Sequence, residues 1–235
     1  MTELVVSGGV CEAFGGLRIA AIVAEGFAGH APWPEVDAGL AALEAAAARG
    51  ETLPDGDGDP HIAAWRAAYR AFGTNPKRER PSVDALRRRL ARSGRLPRIS
   101  AAVDCYNLVS VTHGVPAGAF DLNAVEGDIT VRFAAGDEDF TPLGEPDVTE
   151  HPRPGEVIYT DAESVLTRHW NHRDADRTKV TEDSARIVFL LETTDAPDFG
   201  PAVDAAAADL AGRLATRSQS VTTHWLTPAT PAARL

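Results

Sequence analysis

Cysteine is scarce in this chain, whose 235 residues include only two, Cys11 and Cys105. They stand far apart and lack the paired spacing of metal-binding thiolates, so neither a disulfide framework nor a thiolate zinc site is expected. Of the seven histidines only His169 and His172 fall close together, and the His-Glu-x-x-His spacing of zinc enzymes does not occur. The sequence therefore predicts no metal site.

Long apolar runs are also missing. No run approaches the roughly 20 residues that span a bilayer, and the first nine residues lack the basic region and the long apolar region of a signal peptide. The paired glycines at 8–9 and 15–16 lack the Lys-Ser/Thr ending or the third glycine of nucleotide-binding loops. We therefore predict a cytoplasmic protein with no membrane contact, no bound nucleotide and no other cofactor.

What the sequence does contain is a concentrated block of positive charge. Residues 77–98 hold nine basic and two acidic residues in a chain of net charge −11. Because phosphate attraction is short-ranged in salt and depends on clustering, this block predicts RNA or another phosphate-rich ligand as the first partner to test. No DNA partner is expected. The alternative is a solvated amphipathic helix whose arginines pair with acidic surface elsewhere. The side chains expected to contact RNA are Lys77, Arg78, Arg80, Arg87, Arg88, Arg89 and Arg92.

Apolar periodicity and turn residues predict an α+β fold, and a hydrophobic content of 44% is ample for a packed core. Asp59 and Ser100 have the positions of helix N-caps, and Gly94 and Gly114 those of helix ends. The acidic loop at 54–59 lacks the twelfth-position glutamate of a calcium loop and is interpreted as a linker. Helices are predicted at 36–49, 60–72, 82–93, 100–113 and 203–216, and strands at 17–24, 128–133, 156–160, 165–170, 187–191 and 221–225.

Three segments carry a family resemblance. Between Arg80 and Asn107 the chain reads Leu-Arg-Arg-Arg-Leu, Gly-Arg-Leu-Pro-Arg-Ile and Val-Asp-Cys-Tyr-Asn. Residues 114–121 read Gly-Val-Pro-Ala-Gly-Ala-Phe-Asp, and residues 178–184 read Thr-Lys-Val-Thr-Glu-Asp-Ser. In this order they resemble the B3/B4 editing module of the phenylalanyl-tRNA synthetase beta subunit. The likeness covers about residues 78–194 and includes no catalytic synthetase core.

The resemblance implies a B3/B4-like editing-domain fold, in which a mixed or antiparallel sheet packs against helices. We expect a single domain over 1–235, with an N-terminal strand and helices (1–76), a core that bears the motifs (77–194), and a C-terminal helix and strand (195–235). The resemblance also implies a trans-acting ester hydrolase that deacylates misacylated aminoacyl-tRNA, with aminoacylated tRNA as its partner.

Site residues follow from the same resemblance. Asn107 matches an asparagine of the family's editing pocket. Tyr106 stands where the family has threonine, and Gly118 stands where it has the histidine that helps to recognise the tyrosyl hydroxyl. The family's small Ala-Gly-x-x-Gly-Gly stretch aligns with residues 170–175. A pocket wall rebuilt in this way predicts a substrate other than mischarged tyrosine.

The segment 168–179 mixes aromatic, amide and charged side chains. Asn171 and Asp174 suit the ammonium and carbonyl of an aminoacyl group, and with Asn107 they are the expected catalytic residues. An activated ester needs positioned donors and water rather than a nucleophile triad, so we expect Asn107 and Asn171 to line one cavity. The residues expected to bind substrate are Tyr106, Gly118, Asp161, Trp170, Arg173 and Lys179. Of these, Asp161 is the one expected to orient water.

Other interpretations stay open from the sequence. The segment 168–179 is also typical of a hairpin end whose charges neutralise one another, with Trp170 in the core. Asp161 is equally compatible with a solvated turn. For the whole chain, the alternatives are a non-catalytic tRNA or amino-acid binding module and a protein-interaction module that uses the arginine helix. Deacylation assays on a panel of charged tRNAs distinguish hydrolysis from these alternatives.

Overall fold

The computed structural model describes residues 2–51 and 58–235. The linker predicted at 54–59 lies outside the described residues except for its last two positions. The α+β prediction is confirmed. In chain order the elements are β1 (Glu3–Val6), α1 (Gly8–Ala13), β2 (Arg18–Glu25), α2 (Pro34–Ala48), α3 (Pro60–Ala71), α4 (Ser82–Ser93), α5 (Ala101–His113), β3 (Ala117–Asp121), β4 (Ile129–Phe133), β5 (Val157–Thr160), β6 (Val165–Arg168), β7 (Arg173–Asp174), β8 (Arg186–Thr193), α6 (Ala196–Ala215), β9 (Ser220–Leu226) and β10 (Ala232–Arg234).

The described strands form two sheets. One has four antiparallel strands in the order β3-β8-β2-β9. The other has six strands in the order β10-β1-β4-β5-β6-β7, in which β1 and β4 run parallel and the remaining pairs are antiparallel. The expected mixed and antiparallel pairing is therefore present, distributed over two sheets.

The four-stranded sheet lies between helices on one side and the six-stranded sheet on the other. Successive side chains of a strand point to opposite faces, and alternate residues of β2 accordingly belong to two hydrophobic clusters. Burial on both faces explains why β2 and β8 are almost continuously apolar. The cluster against α2, α5 and α6 contains Ala20, Ile22 and Ala24, and the cluster toward the second sheet contains Ile19, Ala21 and Val23.

Local signals fix the helices that surround the later site. Asp59 accepts hydrogen bonds from two backbone N–H groups in the first turn of α3, and Ser100 accepts one from the first turn of α5. Gly94 and Gly114 end α4 and α5 with φ of 66° and 70°, a left-handed conformation that favours glycine. The capping residues predicted from the sequence are thus confirmed.

Helix α6 begins at Ala196, earlier than the predicted start at 203. Pro197 is compatible with the first turn, where a backbone N–H has no acceptor within the helix, and Pro201 lies further inside. Of the helices in the described ranges, including this one of 20 residues, none combines the length and apolar character needed to cross a membrane.

Candidate functional site

A cavity of about 290 Å³ lies between β3 and β8, helices α4 and α5, and the segment that follows β6. The expectation that Asn107 and Asn171 line one cavity is confirmed, although 64 residues separate them in sequence. The predicted site residues that line it are Tyr106, Asn107, Gly118, Trp170, Asn171 and Asp174.

Asn107 presents an unsatisfied amide to this cavity. It lies on α5 and is only 6% exposed, and its side chain has no hydrogen-bond partner among the residues that the structure describes. Its amide oxygen and nitrogen are not sealed from solvent, so they face the open space of the cavity. The Asn107 amide is therefore available to whatever enters the cavity.

Asn171 is held from both ends of its amide. The Tyr69 hydroxyl donates a hydrogen bond to Oδ1 (2.9 Å), and Nδ2 donates one to Oε2 of Glu192 (3.0 Å). An amide nitrogen carries two hydrogens, so one remains without a partner in the described part of the chain. Tyr69 and Glu192 thus orient a donor toward the cavity.

Glu192 is the site residue that sequence reasoning missed. It lies at the end of β8, is 2% exposed, and accepts hydrogen bonds from the Tyr159 hydroxyl and the Asn171 amide. Burial raises the pKa of Glu192 to about 7, although those two hydrogen bonds favour the charged form. A carboxyl that titrates near neutral pH in a cavity has the property expected of a general acid or base.

Asp174 is the second carboxyl of the cavity. Desolvation raises the pKa of Asp174 to about 6, while a hydrogen bond from the Thr167 hydroxyl (2.8 Å) favours the charged form. The residues described along the cavity wall include no arginine or lysine. Two acids and no permanent cation make this cavity complementary to a positively charged group such as an ammonium.

Gly118 leaves space at the cavity wall. It lies on β3 opposite Leu190 of β8, and a Cβ built at this position meets no heavy atom within 4 Å. Tyr106 packs edge-on against Phe189, with ring centroids 6.3 Å apart. Burial raises the pKa of Tyr106, so its hydroxyl stays protonated and serves as a neutral polar group.

The backbone that carries Asn171 is strained. His169 and Trp170 have φ of 48° and 68°, a left-handed conformation that is uncommon for bulky residues and costs on the order of 1–3 kcal/mol at each position. Trp170 offsets this cost because it is fully buried. Its ring centroid lies 4.9 Å from that of Phe14 and 5.3 Å from that of Trp65. Trp170 therefore packs in the core, as the alternative interpretation held; it forms cavity wall but has no surface on which an RNA base could stack.

Three of the predicted substrate-binding side chains lie away from the cavity. Asp161 is enclosed in a turn, where an ion pair with Arg177 (2.7 Å) and backbone N–H donors hold its pKa below the usual value against the effect of burial. It is therefore not placed to orient water at the cavity. Arg173 pairs with Glu145 and Glu150, and Lys179 pairs with Asp176. The charges of this segment therefore neutralise one another, as the alternative interpretation expected.

The expectation that Arg87 is exposed is wrong. Its side chain is 6% exposed and pairs with Asp59, the N-cap of α3, while Nη2 donates to the Val111 carbonyl (3.2 Å). Arg88 pairs with the buried Asp84 (2.9 Å). The other predicted RNA contacts reach the surface, Arg80 only in part and the rest fully: Lys77, Arg78, Arg80, Arg89 and Arg92.

Replacing Glu192 by glutamine should flatten the pH dependence of stability. Because burial raises the pKa from 4.5 to about 7, the folded protein holds a proton that the unfolded chain releases. The free energy of unfolding of the wild type therefore falls as pH rises through this window. Between pH 4 and pH 8 the free energy of unfolding of the variant should therefore rise by on the order of 2–3 kcal/mol relative to that of the wild type.

Urea unfolding at several pH values measures this difference. Glu12→Gln, at an exposed position with no ion pair to any described residue, is the matched control and should leave the curve unchanged. Parallel stability curves for wild type and Glu192→Gln would contradict the assignment of a raised pKa to Glu192.

No group of three or more histidine, cysteine, aspartate or glutamate side chains arranged to hold a metal ion occurs within residues 2–51 and 58–235. The polar side chains that line the cavity are amides, hydroxyls, carboxyls, the indole of Trp170 and the imidazole of His172.

Comparisons with known proteins place these features in context. Residues 64–198, more than half of the chain, match the family model described as B3/4 domain. The phenylalanine–tRNA ligase beta subunit of Chromobacterium violaceum is 44% identical over 73 residues, which cover 31% of this chain and 9% of that protein. The corresponding subunit of Colwellia psychrerythraea is 38% identical over 96 residues, covering 40% of this chain and 11% of that protein.

Among solved structures, an N-terminal fragment of the phenylalanyl-tRNA synthetase beta subunit from Pyrococcus horikoshii superimposes with a TM-score of 0.49 at 15% identity. The match covers 93% of this chain and 49% of that fragment. The alignments to the two curated relatives span about a tenth of their length.

Proposed function

The chain belongs to the B3/4 domain family, and from that premise we propose that it hydrolyses the ester bond of tRNA charged with the wrong amino acid. The curated relatives are phenylalanine–tRNA ligase beta subunits, which supports an RNA-linked aminoacyl ester as the substrate. A volume of about 290 Å³ is at the small end of ligand cavities and suits an aminoacyl group.

The observation that carries the proposal is the Asn107 amide, which has no hydrogen-bond partner among the described residues and lines the same cavity as the oriented amide of Asn171. Two such donors match an oxygen that gains negative charge during ester hydrolysis. The carboxylate of Asp174 pairs with the ammonium of the amino acid. The cavity thus offers complementary groups for both ends of an α-amino ester.

Glu192 supplies the proton transfer. Its carboxylate accepts a proton as a water oxygen bonds to the ester carbonyl carbon, and the resulting oxyanion accepts hydrogen bonds from Asn107 and Asn171. The bond from that carbon to the ribose oxygen then breaks, and Glu192 returns the proton to the ribose oxygen. A pKa near 7 suits both halves of this exchange at neutral pH.

The direct test is deacylation of tRNAs charged with each amino acid. We expect at least one misacylated tRNA to be hydrolysed well above the rate in buffer, and mischarged tyrosine not to be the best substrate. Selection for a hydroxyl needs a buried polar partner, which Gly118 does not provide. Absence of turnover on the whole panel would refute the hydrolase and leave a binding module. A preference of the wild type for tyrosyl-tRNA would refute the role assigned to position 118.

Gly118→His should raise the rate on tyrosyl-tRNA relative to the wild-type substrate by about 10-fold or more, because it adds a hydrogen-bonding partner where the chain has open space. Gly212→His is the matched control. A Cβ at Gly212 also meets nothing within 4 Å, but this residue lies on α6, away from the cavity. Equal specificity in both variants would show that position 118 does not read the substrate.

A further inference from the structure

A second cavity, of about 660 Å³, lies between α3 and α4. Of the nine described residues that line it, five are cations and none is acidic, a concentrated positive charge within a chain of net charge −11. These five are Arg66, Arg70, Lys77, Arg80 and Arg88. We name this the basic cavity, and the cavity of Asn107 and Asn171 the acidic cavity.

The two cavities are neighbours. Thr74 of the basic cavity lies 2.9 Å, hydroxyl to Nδ1, from His169, which directly precedes Trp170 in the wall of the acidic cavity. His172 of the acidic cavity contacts through Nδ1 (2.9 Å) the carbonyl of Arg80 in the basic cavity. Helix α4 contributes Ser82 to one cavity and Arg88 to the other.

One buried carboxylate organises part of the basic cavity. Asp84, which is 0% exposed, accepts hydrogen bonds from Nε and Nη2 of Arg66 on α3 (3.0 and 2.8 Å) and from Nε of Arg88 on α4 (2.9 Å). A single carboxylate thus holds two guanidinium groups in place. The arrangement fixes both arginines before any ligand arrives, which lowers the entropic cost of binding.

The remaining three cations have no acidic partner within the described part of the chain. Neither Arg70, Lys77 nor Arg80 forms an ion pair with any residue that the structure describes. The Nε atom of Arg80 is moreover buried and makes no hydrogen bond. A buried guanidinium donor normally has an acceptor, and the guanidinium fork matches phosphate oxygens in geometry and charge.

We propose that the basic cavity binds the backbone phosphates next to the 3′ end of an RNA whose terminal aminoacyl group lies in the acidic cavity; this inference rests on the proposed function. The order of charges carries the argument. An aminoacylated RNA end presents an ammonium, then the ribose ester, then phosphodiesters, and the chain presents two carboxyls and then five cations in adjoining cavities.

This placement revises the RNA contacts expected from sequence. The outer face of α4, with Arg89 and Arg92, does not line the basic cavity, whereas Arg66 and Arg70 of α3 do. The phosphate contacts therefore lie between two helices rather than along one. Shape as well as charge then selects the ligand, because the phosphates must enter a cavity beside the ester.

Fluorescence anisotropy with an uncharged RNA minihelix that ends in CCA tests the proposal. The double variant Arg70→Gln/Arg80→Gln should weaken binding by about 10-fold or more, and the slope of log affinity against log salt should fall by about one to two. The control, Arg89→Gln/Arg92→Gln, removes the same charge from exposed positions outside the cavity and should weaken binding less than about threefold. Melting temperatures verify that both variants fold.

Equal losses in the two double variants, or no loss in the first, would overturn the proposal. So would binding of inorganic phosphate that the first double variant abolishes, together with no measurable binding of the RNA by the wild type, which would assign the cavity to free phosphate. Binding of uncharged RNA is measured without hydrolysis. If the wild type binds RNA through the basic cavity but deacylates no tRNA, the proposed function alone is refuted. If the wild type deacylates tRNA and the first double variant keeps the wild-type RNA affinity, this inference alone is refuted.

Discussion

Replacing Asn107 by alanine should lower the rate of ester hydrolysis by about 10- to 1000-fold, the range found when a donor to a developing oxyanion is removed. Asn107 gives the clearer test of the two asparagines, because its side chain has no hydrogen bond to any described residue and truncation therefore breaks no internal hydrogen bond. Asn171→Ala should reduce the rate similarly. It also deprives Tyr69 and Glu192 of a partner, so a small loss of stability accompanies it.

Single-turnover deacylation with saturating protein measures the effect on chemistry, and anisotropy with uncharged RNA should stay unchanged for Asn107→Ala. Asn123→Ala, at an exposed position outside the cavity, is the matched control and should retain the wild-type rate. A full rate in Asn107→Ala would remove this amide from the mechanism. A lower RNA affinity with an unaltered rate would make it a binding group only.

Replacing Arg87 by glutamine should lower the free energy of unfolding by about 3–5 kcal/mol, the usual cost of removing one partner of a buried ion pair. The Asp59 carboxylate would lose its counterion, and Asp59 also caps α3. The Val111 carbonyl would lose a donor as well. Chemical denaturation followed by circular dichroism measures the change.

Arg89→Gln, two residues along the same helix and exposed, should change stability by less than about 0.5 kcal/mol. In a double-mutant cycle, Asp59→Asn should couple strongly to Arg87→Gln and leave Arg89→Gln additive. Equal stabilities of the two arginine variants would place Arg87 at the surface. A triple glutamine variant at 87, 88 and 89 would confound unfolding with loss of RNA affinity.

Arg87 also shows where sequence reasoning stops. Helical spacing correctly assigns Val83 and Leu90 of α4 to the buried side, and Arg87 lies one turn from Val83 on the same side. A run of three arginines nevertheless predicts a solvated face. The deciding factor is Asp59, a partner 28 residues away that makes burial of the guanidinium tolerable. Helix bounds that are marked by local caps and glycines, as in α3, α4 and α5, are predictable, whereas the uncapped start of α6 and long-range charge pairing are not.

The cavity was only partly predictable for related reasons. Strand β3 lacks strand-forming residues around Gly118 and forms because β8 offers a pairing edge. Glu192 follows the apolar run 187–191, so it is easily interpreted as the polar end of a buried strand. In the structure β8 continues to Thr193, which places the carboxyl inside. The available signal for Glu192 was an acidic residue that directly continues an apolar strand. The acid expected from the sequence, Asp161, lies away from the cavity.

Trp170 belongs at once to the aromatic core and to the wall of the acidic cavity. Phe14, Trp65 and Phe72 surround its ring, and the next residue along a strained backbone is Asn171. A change of volume at any of these aromatic positions should therefore shift the Asn171 amide in the acidic cavity. On the proposed function, selectivity is then set partly by interior residues that no ligand touches, and related chains with identical cavity residues need not share a substrate.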